Sequence, residues 1–210
     1  MTRKFDLRRD KFKREPRARF IIFCEGALTE PEYFEAIKRL YTGSLIEFRI
    51  IKAAGVPMTM AESAIESSAD IRNRRKKDSY EAADQIWVVF DRDEHPNFDE
   101  AIRLCERKKI KIARSNPCFE VWLLLHFCDF DKPGNRHEIQ RHLEKIDKDY
   151  KVSGRKTLNC DNIVKNVIVA EKRSAELIRR RENERCPYGV VSTTVHLLTS
   201  EIRAASDSSS

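Results

Sequence analysis

The chain has 210 residues, 40% of them apolar and 36% charged, which allows one domain, or one domain with an appendage, around a real core. Its longest apolar segment, Val121 to Phe127, is far short of the roughly 20 residues a membrane span needs. The net charge of +7 is concentrated: the first twenty residues carry nine Lys/Arg against Asp6, Asp10 and Glu15, so the rest of the chain is nearly neutral.

Residues 1–16 form a basic arm, suited either to an anionic partner or to a solvated terminus. Arg17 to Cys24 is predicted as a first strand that ends at Glu25-Gly26, where glycine permits a sharp turn or close approach to a ligand. Thr29 is a suitable helix N-cap, Pro31 falls in the first turn, and Tyr33, Phe34, Ile37 and Leu40 continue with helical spacing. Glu30 and Glu32 suit the helix N-terminus. A second strand is predicted over Ile46–Ile51 and a second helix over Thr59–Lys77, with its basic end, Arg72 to Lys77, solvated. The third strand, Gln85 to Phe90, is an apolar run that stops abruptly in Asp91-Arg92-Asp93-Glu94-His95. A helix over Phe98–Lys108 and a short strand over Ile110–Ala113 follow.

Ser115 or Asn116 then caps a helix that starts at Pro117 and is apolar all round. Strands alternate with helices four times, which predicts an α/β fold with a mostly parallel sheet flanked by helices. Residues 129–205 are expected to form a helical extension. It comprises a helix over His137–Ile146, a polar loop at Lys151–Asn159, a long helix from Asp161 to Glu184, and a last helix capped by Ser192 or Thr193. Residues 206–210 form a frayed tail.

In an open parallel sheet, ligands bind outside the carboxyl ends of the strands. The first strand delivers Glu25 there, the third Asp91 and Asp93, and the fourth Ser115, Asn116 and, a turn later, Glu120. Carboxylates gathered so closely repel one another unless a cation neutralises them, and oxygen-only ligands favour magnesium or manganese. Glu25, Asp91, Asp93 and Glu120 are therefore the candidate metal ligands, with Gly26, Ser115 and Asn116 in support. Glu25 is a ligand or a general base. The plain alternatives are a polar strand end for Asp91 and Asp93, and helix-dipole acids for Glu25 and Glu120.

A glutamate after the first strand and Asp-x-Asp after the third resemble the Toprim domain over residues 17–128, with Glu25, Asp91 and Asp93 at its catalytic, magnesium-binding positions. Three blocks resemble the RloB-like family, related to the abortive-infection protein AbiL. They are Phe23-Cys-Glu-Gly26 through Glu30-Pro-Glu-Tyr-Phe34, Phe90-Asp-Arg-Asp-Glu-His95, and Ser115-Asn-Pro-Cys-Phe-Glu-Val-Trp-Leu-Leu-Leu-His-Phe127. Ser192-Thr-Thr-Val195 is similar too, although Val191 stands where a proline is expected. The resemblance implies a magnesium- or manganese-dependent Toprim nuclease cutting DNA or RNA. It further implies the effector role in bacterial defence against phage, beside an ABC/AAA-type ATPase.

Nucleic-acid contacts are expected from Arg8, Arg9, Lys11, Lys13 and Arg14 in the arm and from Arg155 and Lys156 in the polar loop. Cys118, His126, Cys128, His137 and His142 match no usual zinc spacing. The six scattered cysteines, with no C-x-x-C pair and no signal peptide at the charged N-terminus, read as reduced thiols of a cytoplasmic protein. Self-association stays open. The near-neutral body favours a competing reading, a non-catalytic subunit that binds nucleic acid or the ATPase. Phosphoacceptor chemistry fits less well, because its decisive acid follows the first strand.

Overall fold

The computed structural model describes residues 19–26, 28–41, 45–50, 57–75, 84–92, 97–152 and 158–207. The basic arm, Asp93 to Pro96, and the loop carrying Arg155 and Lys156 lie outside them.

The alternation expected from the sequence is present. It runs β1 (Arg19–Cys24), α1 (Thr29–Leu40), β2 (Leu45–Ile50), α2 (Pro57–Arg75), β3 (Gln85–Asp91), α3 (Phe98–Lys108) and β4 (Lys111–Asn116). These four strands pair in parallel. The two-residue β5 (Ser192–Thr193) adds antiparallel to β4, giving the order β2-β1-β3-β4-β5.

Side chains alternate along each strand, so the sheet has two apolar faces. Ile21, Phe23, Val88 and Phe90 pack on α2 and α3 through Met60, Ala64, Phe98 and Ile102. Phe20, Ile22, Trp87 and Val89 face the other way, onto α1 and the elements after β4. Those are α4 (Glu120–Phe127), α5 (Arg136–Ile146), α6 (Cys160–Ile163), a 3-10 turn at Val164–Asn166, α7 (Val167–Asn183) and α8 (Val195–Asp207). Residues of all five of these helices share one core with β1 and α1. From Glu120 to His126 every residue of α4 is buried, as its unbroken apolar run requires.

Several boundaries differ from the sequence reading, each for a local reason. Thr29 is the first residue of α1 and Leu28 precedes it without a side-chain cap. Ser115 and Asn116 continue β4 instead of capping a helix, because Thr193 and Ser192 pair with them. The Asn116–Pro117 bond is cis, and α4 starts at Glu120, three residues past the proline. The helix expected from Asp161 is interrupted by the 3-10 turn, and Asn159 provides its cap by accepting from the Asn162 amide. Val191 is buried with φ 57°, a left-handed backbone that a proline ring cannot adopt.

Candidate functional site

The strand order places the site. From β1 the chain first adds β2 on one side and then β3 on the other, so the direction of winding reverses between β1 and β3. The crevice at the carboxyl end of such a reversal is where open α/β sheets bind ligands. Cys24 is in register with Val89, which brings Glu25 and Gly26, just past β1, level with Asp91 at the end of β3.

Asp91 has the same strand parity as Trp87 and Val89 and so faces the side of α1 and α4. It is 4% exposed. Arg136, the first residue of α5, donates from Nη2 to Asp91 Oδ2 at 2.8 Å. Asp91 Oδ1 is buried and has no hydrogen-bond partner among the described residues. Burial, then the charges of Glu30 and Glu120, raise the Asp91 carboxyl well above its usual range, and Arg136 only partly opposes them.

Glu30 is the acid that sequence reasoning missed. Its place at the helix N-terminus suits dipole electrostatics, yet it is buried and is pushed up to about 7, first by desolvation and then by Glu120 and Glu25. Its carboxyl lies over Gly26, where an added Cβ would sit 2.0 Å from Glu30 Oε2. The missing side chain at position 26 is what makes room for this carboxyl. The available signal was Gly26 four residues before Glu30 at a tight strand-to-helix turn.

Glu120, at the start of α4, is 3% exposed and closes the cluster. Tyr150 Oη donates to its Oε1 at 2.8 Å and Gln140 Nε2 donates to the same oxygen at 3.0 Å. Both donors are themselves buried. Arg136, Gln140 and Tyr150 all come from the stretch beyond residue 128, and nothing in their local sequence marks them as pocket residues. Arg136 and Gln140 are positioned by α5, which is held by a full capping box, and Tyr150 follows just beyond its end. Asn135 accepts from the Glu138 amide, and Glu138 accepts from the Asn135 amide.

The expected supporting residues Ser115 and Asn116 serve the fold. Ser115 Oγ and Thr193 Oγ1 are 2.9 Å apart, and Asn116 Nδ2 donates to the carbonyls of Tyr188 and Gly189. Asp93, the arm residues Arg8, Arg9, Lys11, Lys13 and Arg14, and the loop residues Arg155 and Lys156 lie outside the described residues.

Of the zinc candidates, Cys118 lies beside Glu120, and burial raises its thiol well above the usual range. His126 is committed to Tyr33 Oη at 3.1 Å and to the Trp122 carbonyl at 3.0 Å. Among the described residues, no three His, Cys, Asp or Glu side chains stand in a metal-holding arrangement. In chemistry, however, the pocket suits a hard cation: its donors are carboxylate oxygens, and one buried oxygen of Asp91 lacks a partner among the described residues. In this structure the cation on Asp91 is the Arg136 guanidinium.

No curated protein and no solved structure matches the chain. The family model described as RloB-like protein matches residues 20–202, a span that takes in the sheet, the acid pocket and the α5 donors alike. The chain belongs to the RloB-like family.

Proposed function

We propose that the chain is a Toprim-type nuclease, cutting phosphodiester bonds in DNA or RNA with magnesium or manganese. We place it as the effector of an anti-phage abortive-infection system, working with an ABC/AAA-type ATPase. The observation that carries this reading is the convergence of Glu25, Glu30, Asp91 and Glu120 at the β1–β3 switch point, with one buried Asp91 oxygen that has no partner among the described residues. Asp91, Glu25, Glu120 and Asp93 are the residues that would hold the cation. When bound, it supplies an activated water and neutralises charge on the leaving oxygen. Gln140 and Tyr150 fix the Glu120 carboxylate, and Gly26 leaves space for Glu30 within the pocket.

The test is incubation of labelled tRNA, single-stranded DNA and duplex DNA with the chain, with and without magnesium or manganese, alone and with the ATPase. Asp91→Ala is expected to abolish cleavage while circular dichroism shows an intact fold. Full cleavage by that variant refutes the reading.

A second reading is a binding subunit whose acid pocket is structural. The Arg136–Asp91 ion pair favours it, because the pocket already contains its own cation. On this reading, deletion of residues 1–16 removes nucleic-acid or ATPase binding, and the acid substitutions have no effect.

A further inference from the structure

We infer that Arg136 is an exchangeable counter-cation: it competes with a divalent ion for Asp91, and when displaced it takes the phosphate of the substrate at the crevice mouth. The inference rests on the metal-dependent reading above and assigns within it a residue from outside the Toprim-like segment.

Three observations support it. First, Arg136 donates to Oδ2 of the same carboxylate whose buried Oδ1 has no partner among the described residues, so the guanidinium stands on a candidate metal ligand. Second, the two partners differ in exposure: the Asp91 side chain is 4% exposed and that of Arg136 is 39% exposed. The carboxylate is fixed in the pocket, whereas the long Arg136 side chain is partly exposed although its Nε is buried, and it can move outward without unpacking the apolar core, to which it does not belong. Third, the base of that side chain is fixed. Arg136 is the first residue of α5, behind the Asn135–Glu138 capping box, so on release its head stays at the crevice mouth. A guanidinium is the group best suited to phosphate oxygens, which it can bind with two parallel hydrogen bonds.

Exchange also suits the charge balance. Glu25, Glu30 and Glu120 lie close enough to Asp91 to repel its charge, and Arg136 is the cation paired with it. A divalent ion offers the acids more charge than the guanidinium does. A substrate phosphate then offers the displaced guanidinium a new anion.

The test measures manganese binding by calorimetry on the full chain, with no turnover required, for wild type, Arg136→Gln, Arg136→Lys and Asp91→Asn. Removing the competing cation is expected to tighten manganese binding by about tenfold in Arg136→Gln, the lower end of what a charge-assisted hydrogen bond is worth. Arg136→Lys keeps the charge but loses the fork, and is expected to tighten it less. With calcium present to prevent cleavage, Arg136→Gln is also expected to bind labelled nucleic acid more weakly, its salt dependence reduced by about one phosphate contact. A merely structural ion pair would lower the melting temperature without tightening the metal.

If wild type and Arg136→Gln bind manganese equally, or the variant binds it more weakly, and Asp91→Asn binds none, the exchange is overturned while the metal site stands. If none of the four chains binds manganese, the metal-dependent reading falls and the exchange with it. Should Arg136→Gln fail to fold, Arg136→Lys decides by the same comparison: tightening supports the exchange, and wild-type or weaker affinity overturns it.

Discussion

His126 makes the fold acid-labile in a way that can be measured separately from the pocket. Its ring is buried between Tyr33 and Trp122, and desolvation holds it down to about 4 from an ordinary value of 6.5, despite acceptors at the Trp122 and Leu123 backbone that favour the charged form. Between those two values the unfolded chain takes the proton and the folded chain does not, so stability falls as pH falls. The loss attributable to His126 is about 2 kcal/mol between pH 7 and pH 5, and about 3 kcal/mol by pH 4. Glu30 has the opposite sign. Its folded value of about 7 lies above its ordinary 4.5, so its contribution worsens as pH rises through that range. Urea midpoints of wild type alone would therefore mix the two. The clean measurement compares wild type with His126→Gln at pH 7, 6 and 5, since the Glu30 contribution is common to both and cancels in the difference. The gap between the two stabilities should close by about 2 kcal/mol on going to pH 5. Parallel pH profiles would refute a neutral, buried His126.

The other expectations concern the pocket. Gly26→Ala should fold but drive the Glu30 carboxyl from its place, since the new Cβ would lie 2.0 Å from Oε2; cleavage should fall at least tenfold while the melting temperature changes little. A wild-type rate in that variant would remove Glu30 from the site. Tyr150→Phe removes one of two donors to Glu120 Oε1 and should cost about 1–3 kcal/mol of stability, read from urea denaturation, with a larger loss when Gln140→Ala is added. No change in the double variant would show that Glu120 is not held by this pair. Asp91→Ala for cleavage and Arg136→Gln for manganese affinity complete the set.

Much of this architecture was legible because the signals were local. The apolar run ending at Asp91 gave β3, and the boundaries of α3 at Phe98 and Lys108 coincide with those expected from the sequence. Glu25 and Asp91 could be brought together from sequence because parallel strands share a carboxyl end. What was not legible depends on distant contacts. Ser115 and Asn116 have the composition of a helix cap, and only pairing with Thr193 and Ser192, far along the chain, makes them strand. Glu30 has an ordinary helix-start position, and its burial depends on Glu120 and Asp91 arriving from elsewhere. Arg136, Gln140 and Tyr150 look like unremarkable residues of a polar, amphipathic segment. Their role exists only once α5 and the turn after it dock on α4.

The all-round burial of α4 has a practical consequence. A helix with no solvent face cannot lie at the edge of a separable piece. A chain cut after Cys128 would uncover Trp122, Leu124 and Leu125, which share their core with Ile139, Leu143, Ala170, Leu177 and Ile202. It would also strip Glu120 and Asp91 of Tyr150, Gln140 and Arg136. The sheet and the helices beyond it are thus expected to unfold together, and any fragment meant to carry the acids alone is expected to aggregate.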